Sequence, residues 1–137
     1  MKKTFLLLLI TILLYFSYLG ISKHKAVKFT ASIEKKQPLE KTIALWQNPE
    51  NYKHWQEGFI SKELLSGTAG EVGTVSLIKL DFNKDIMDLT ETIQVSDLPN
   101  EFKVLIEHKH MSNTMNSKFT AINDSTTLWT VEIDYFK

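Results

Sequence analysis

Glu91 is the residue whose setting most suggests chemistry. It shares a period-two stripe with Met87, Leu89, Ile93 and Val95, an otherwise apolar strand face. A carboxylate there costs free energy unless it is paired, hydrogen-bonded or protonated. One role is functional: a general acid or base, or an anchor for a polar ligand group. The commoner one is structural, a carboxylate satisfied by Asn113 or Asn116 on a later strand. His108 and His110 stand two apart on a strand and leave the same face, where Glu91 could complete a metal site. His24 and His54 fall elsewhere in the chain and no further ligand is indicated, so no metal is expected. Asp81, Asp85 and Asp88 lack the oxygen-ligand spacing of a calcium loop and read as a solvated hairpin tip. The sequence carries no G-x-S-x-G elbow, G-x-G-x-x-G fingerprint or P-loop. Gly67, Gly70 and Gly73 read as turn residues. No catalytic residue is assigned, Glu91 standing as the candidate if the protein is an enzyme, and no cofactor is expected. Trp46, Trp55 and Trp129 suit core packing first and a ligand pocket second.

Composition narrows the classes. The chain has 137 residues, enough for one real core and too few for two ordinary domains. Lys+Arg 16 balances Asp+Glu 16, and every one of those bases is lysine. With neither a basic excess nor the planar fork of arginine, nucleic acid is not expected as a partner. Cys 0 removes disulfides, thiolate zinc sites and cysteine nucleophiles together. An apolar content of 43% is too rich for disorder.

The elements that must position these residues begin after a distinct N-terminal segment. Met1-Lys2-Lys3 is basic, and Phe5 to Ile21 is apolar apart from Thr11, Ser17 and Gly20. Seventeen residues at the helical rise reach roughly 25 Å, just short of a hydrocarbon core. The run length and the aromatic residues Tyr15, Phe16 and Tyr18 favour an uncleaved single-pass membrane anchor, with the domain outside the cytoplasm. The alternative is a signal peptide, cleaved near Ser22 to release a secreted domain. The expected division is 1–25 for this segment and 26–137 for the domain.

From Ala26 the pattern has period two, with Val27, Phe29, Ala31 and Ile33 alternating with polar residues, a half-buried strand. Pro38 suits a first helical turn, and Leu39, Ile43 and Trp46 follow at helical spacing. Asn48-Pro49 opens a second short helix through Tyr52 to Trp55, which Gly58 ends. Six strands are expected after it: Phe59 to Leu65, Gly73 to Leu80, Ile86 to Val95, Phe102 to His110, Lys118 to Ile122 and Thr127 to Phe136. Short connections make them an antiparallel meander. Two short helices give such a sheet little cover, so either the chain is truncated or a partner supplies the missing layer, and self-association through the uncovered sheet is a further expectation.

Lys36-Gln37-Pro38-Leu39-Glu40, then Leu45-Trp46-Gln47-Asn48-Pro49-Glu50-Asn51-Tyr52 and Trp55, resemble the opening of the START-like superfamily, also called SRPBCC, the polyketide cyclase/dehydrase and lipid-transport proteins. Leu89-Thr90-Glu91-Thr92-Ile93, Leu98-Pro99-Asn100-Glu101-Phe102 and Asn113 to Phe119 fit the same pattern. The resemblance covers about residues 26–137. It implies an α+β helix-grip fold, β-α-α-β6, in which a curved antiparallel sheet surrounds an apolar cavity. The family's long C-terminal helix has no counterpart before Lys137, so the domain is expected to be C-terminally incomplete. The resemblance implies a binder of a hydrophobic small molecule or lipid, which the N-terminal apolar run is expected to tether to a membrane. The pocket is expected to be lined by Trp46, Glu91, Phe102, Val104, Ile106 and His108 on one concave face. The other readings are a cyclase/dehydratase-type enzyme using Glu91 as acid/base, and a truncated copy without ligand function.

Overall fold

The computed structural model describes residues 26–136. The N-terminal helix expected over 1–25, with its anchor or signal-peptide role, lies outside the described residues. Strand β1, Val27–Lys35, is followed by α1, Leu39–Gln47, a 3-10 turn, Pro49–Asn51, and α2, Tyr52–Trp55. Six strands follow: β2 (Phe59–Ser66), β3 (Val75–Phe82), β4 (Asp85–Asp97), β5 (Glu101–His108), β6 (Met111–Asn123) and β7 (Thr126–Tyr135). They form one antiparallel sheet in the order β1-β7-β6-β5-β4-β3-β2. The meander runs from one edge to β7, and β1 returns to lie beside the last strand, Phe29 facing Ile133 and Ile33 facing Trp129. The architecture is the expected α+β one.

Local sequence explains the joints. Pro38 sits at the N-cap of α1, one position earlier than a first-turn proline, and its carbonyl accepts from the Thr42 amide at 2.9 Å. Asn48 caps the next turn, its Oδ1 accepting from the Glu50 amide at 3.0 Å. The polar tip expected over Asp81 to Asp85 shrinks to the two residues Asn83 and Lys84, with φ of 54° and 73°. Two successive positive φ values make the tight primed turn that matches strand twist, and β3 and β4 extend up to it. Register shifts at Phe59/Ser61, Leu64/Ser66, Ile93/Val95 and Ala121/Asn123 mark bulges, which bend the sheet.

Two strand boundaries correct the sequence reading. β5 stops at His108, so Lys109 and His110 belong to the turn. β6 begins at Met111 and not at Lys118, because Ser112, Asn113, Thr114 and Asn116 hide the alternation; Ser112 pairs with β5, and the other three pair with both β5 and β7. A strand flanked on both sides gains its ladder from its neighbours whatever its own propensity.

The core lies on the concave side. Ile78, Leu89, Ile93, Val104 and Phe119 are its buried apolar residues. Helix α1 sets Trp46 against them, with ring centroids 5.3 Å from Phe102 and 5.2 Å from Phe119, both edge to face. Thr127, fully buried, donates its hydroxyl to the Gln37 carbonyl at 2.9 Å and so ties β7 to the loop before α1. The opposite face is polar, as the Ser32–Thr130 hydroxyl contact and the Lys28–Asp134 ion pair show.

Candidate functional site

A cavity of about 480 Å³ opens on the concave face, between α1, α2 and strands β3 to β7. Its floor is built by alternation: Met87, Leu89 and Glu91 from β4, Phe102, Val104 and Ile106 from β5, and Asn113, Met115 and Ser117 from β6. Trp46, Tyr52 and Trp55 come from the helices. Five of the six residues expected to converge here do so: Trp46, Glu91, Phe102, Val104 and Ile106. His108 does not line the cavity. It shares their face but is the last residue of β5, where its ring stands 5.9 Å from that of His110. Among the described residues no three His, Asp or Glu side chains are grouped to hold a metal ion.

Glu91 is buried and points into the cavity. Its partner is neither Asn113 nor Asn116. Asn116 donates instead to Glu101 at 3.0 Å. Lys62 of β2 reaches across β3, and its Nζ donates to Glu91 Oε1 at 2.7 Å and to the Tyr52 hydroxyl oxygen at 3.0 Å. The register explains the reach: Lys62 pairs with Ile78, and Ile78 with Leu89, so all three share the face that carries Glu91. The Lys62 nitrogen also sits 4.8 Å from the centre of the Tyr52 ring. Burial, the largest influence on Lys62, works to lower its pKa. The Glu91 carboxylate, then Tyr52, more than offset it and hold the ammonium above the ordinary lysine value. Sequence reasoning missed Lys62. A signal existed, because it has the parity of the apolar residues Ile60 and Leu64, as Glu91 has that of its own apolar neighbours.

The three tryptophans form one cluster, with Trp46 stacked on Trp55 at 6.3 Å and Trp129 edge-on to Trp55 at 6.0 Å. They pack in the core, and Trp46 and Trp55 also line the cavity. The arrangement can hold an apolar body against the sheet and present a polar corner of Tyr52 and Glu91 to one end of it, with Lys62 bonded to both from outside the lining.

No family model and no curated protein matches the sequence. Solved structures do match. A major latex-like protein of Panax ginseng is 18% identical, over 82% of this chain and 80% of that one, with a TM-score of 0.68. A START superfamily protein from Mycobacterium smegmatis is 11% identical, over 79% of this chain and 75% of that one, with a TM-score of 0.67. The chain folds as a START-like domain. A Streptomyces aromatase/cyclase shares this START-like fold at 12% identity, over 81% of this chain and 68% of that one, with a TM-score of 0.66. Among the described residues of the START-like domain no long helix follows β7, and none is long and apolar enough to cross a membrane.

Proposed function

We propose that the protein binds an apolar small molecule or lipid in the concave-face cavity, and that residues 1–25 tether the domain to a membrane on its extracytoplasmic side. The observation that carries the binding role is the cavity itself. Its 480 Å³ falls within the range of small-molecule sites, roughly 300–1,000 Å³. Its floor of Leu89, Val104, Ile106 and Met115 offers an apolar body contact on one side, with a few polar groups at one corner. Desolvation of the ligand supplies the driving force and the corner supplies orientation. Calorimetric titration with aminoanthracene tests this. Saturable binding is expected, abolished by Val104→Trp, which fills the cavity. Binding that ignores the substitution would sink the reading.

The tether rests on the seventeen-residue apolar run from Phe5 to Ile21. Intact mass of the membrane-fraction protein should include residues 1–22, whereas a chain starting at Lys23 would replace the anchor with a signal peptide. The Streptomyces aromatase/cyclase favours a second reading, an enzyme with Glu91 as acid/base. In this chain the Glu91 carboxylate is occupied by Lys62, which favours a holding role over proton transfer. Glu91→Gln separates the two: a binder keeps its ligand, an enzyme loses turnover.

A further inference from the structure

We propose that the Tyr52–Lys62–Glu91 corner makes the cavity select electrically neutral apolar molecules bearing a hydroxyl or carbonyl group, and reject their anionic and cationic counterparts. The inference deepens the cavity-binding reading and rests on it. Its ground is a count of charges and of hydrogen-bonding positions at one place.

The charges cancel. Lys62 and Glu91 form a contact ion pair at 2.7 Å, with side chains 19% and 9% exposed. A ligand carboxylate brought beside them would set two anions around one ammonium. A ligand ammonium would set two cations around one carboxylate. In either case a surplus charge loses its water without gaining a dedicated counter-ion, and that desolvation disfavours binding. Glu57 and Asp81 also line the cavity, but both are exposed, so water and salt screen them. A neutral head group carries no such penalty.

The hydrogen-bonding positions do not cancel. An ammonium has three N–H donors, and Lys62 commits one to Glu91 and one to Tyr52. Tyr52 accepts from Lys62, which leaves its own proton to donate. Glu91 is engaged through Oε1, and Oε2 keeps its lone pairs. Lys62 does not itself line the cavity, so the corner presents one open donor, the Tyr52 hydroxyl, and one open acceptor, Glu91 Oε2. A hydroxyl can accept from Tyr52 while donating to Glu91, and a carbonyl can accept from Tyr52. An unsubstituted hydrocarbon would cover these groups without pairing them, which is itself costly.

The test is calorimetric titration of the full-length protein in lipid nanodiscs, with empty discs as the blank, using naphthol, naphthoate and naphthylmethylammonium at pH 7. The three share one bicyclic body and differ in charge. Naphthol should bind about tenfold or more tighter than either ion. Lys62→Met leaves Glu91 as a lone anion and should move the preference to the ammonium. Glu91→Gln leaves Lys62 as a lone cation and should move it to the carboxylate. Should a variant fail to fold, the ranking of the three probes on the unmutated protein decides. Equal binding of all three, or either ion ahead of naphthol, overturns the charge rule while leaving the cavity reading intact. Binding of none overturns the cavity reading, and the charge rule with it.

Discussion

Lys62 is held at a position where burial alone would favour losing its proton. Its ammonium survives because Glu91 stands 2.7 Å away and Tyr52 accepts a second hydrogen bond. The pair is therefore conditional: each member is tolerable only while the other is present. Removing the cation strands a buried carboxylate, and breaking such a pair costs about 3–5 kcal/mol. Lys62→Met should lower unfolding free energy in urea by about that much, and adding Glu91→Leu should recover most of it. A single variant as stable as the parent would show that the pair contributes nothing. The pH dependence has a definite sign. A lysine whose folded pKa is raised above the ordinary 10.5 stabilises the fold fully below that value and loses the contribution as pH rises through the folded pKa. The unmutated protein should therefore weaken in strong alkali more steeply than Lys62→Met, as melting temperature against pH will read out.

At the scale of elements, the connection from α2 to β2 fixes where Tyr52 and Trp55 stand. Gly58 turns the chain with φ of +71°, and its carbonyl accepts from the Asp81 amide at 2.7 Å. A Cβ added there would come within 2.2 Å of the Asp81 carbonyl oxygen, which belongs to the backbone and cannot step aside. Gly70 has a similar φ of +84° with nothing within 4 Å. Gly70→Ala should cost only the left-handed backbone term, about 1–2 kcal/mol, and Gly58→Ala clearly more. Equal costs in chemical denaturation would rule out the close approach. What the sequence revealed of these elements follows from how each is stabilised. β1 and β7 show their alternation plainly, and the face holding Phe102, Val104 and Ile106 could be named in advance for the same reason. The first half of β6 could not, because Ser112, Asn113 and Ser117 are polar yet buried, satisfied by a sheet that no local pattern announces. Glu91 was conspicuous as one charge among apolar neighbours. Its partner lies 29 residues earlier and two strands away, a relation only the register reveals.

For the molecule as a whole, cover is uneven. Two short helices overlie the Trp46–Trp55 end, while β1 is exposed along its length, with Val27, Phe29 and Ile33 at 59%, 47% and 49% exposure. These three share the concave face with Val131, Ile133 and Tyr135 of β7. Among the described residues β1 pairs only with β7 and β2 only with β3, so the outer edges of both strands keep their backbone groups unpaired. An apolar face beside an open edge favours association between copies. Sedimentation velocity on residues 23–137 should show mass rising with concentration, and replacing Phe29 and Ile33 with serine should reduce it. A single monomeric boundary across concentrations, with a sharp cooperative melt, would show that the face needs no cover.

The tryptophan cluster has a consequence of another kind. The sequence contains Trp 3, and all of them meet at one place, 6.0 to 6.3 Å apart between ring centres. Rings that close exchange excitation energy before they emit, so light absorbed by any one of them is shared by all. With no indole elsewhere to dilute the signal, the tryptophan emission of this protein comes from one cluster, two of whose three members line its cavity. Its colour and polarisation report on that cluster.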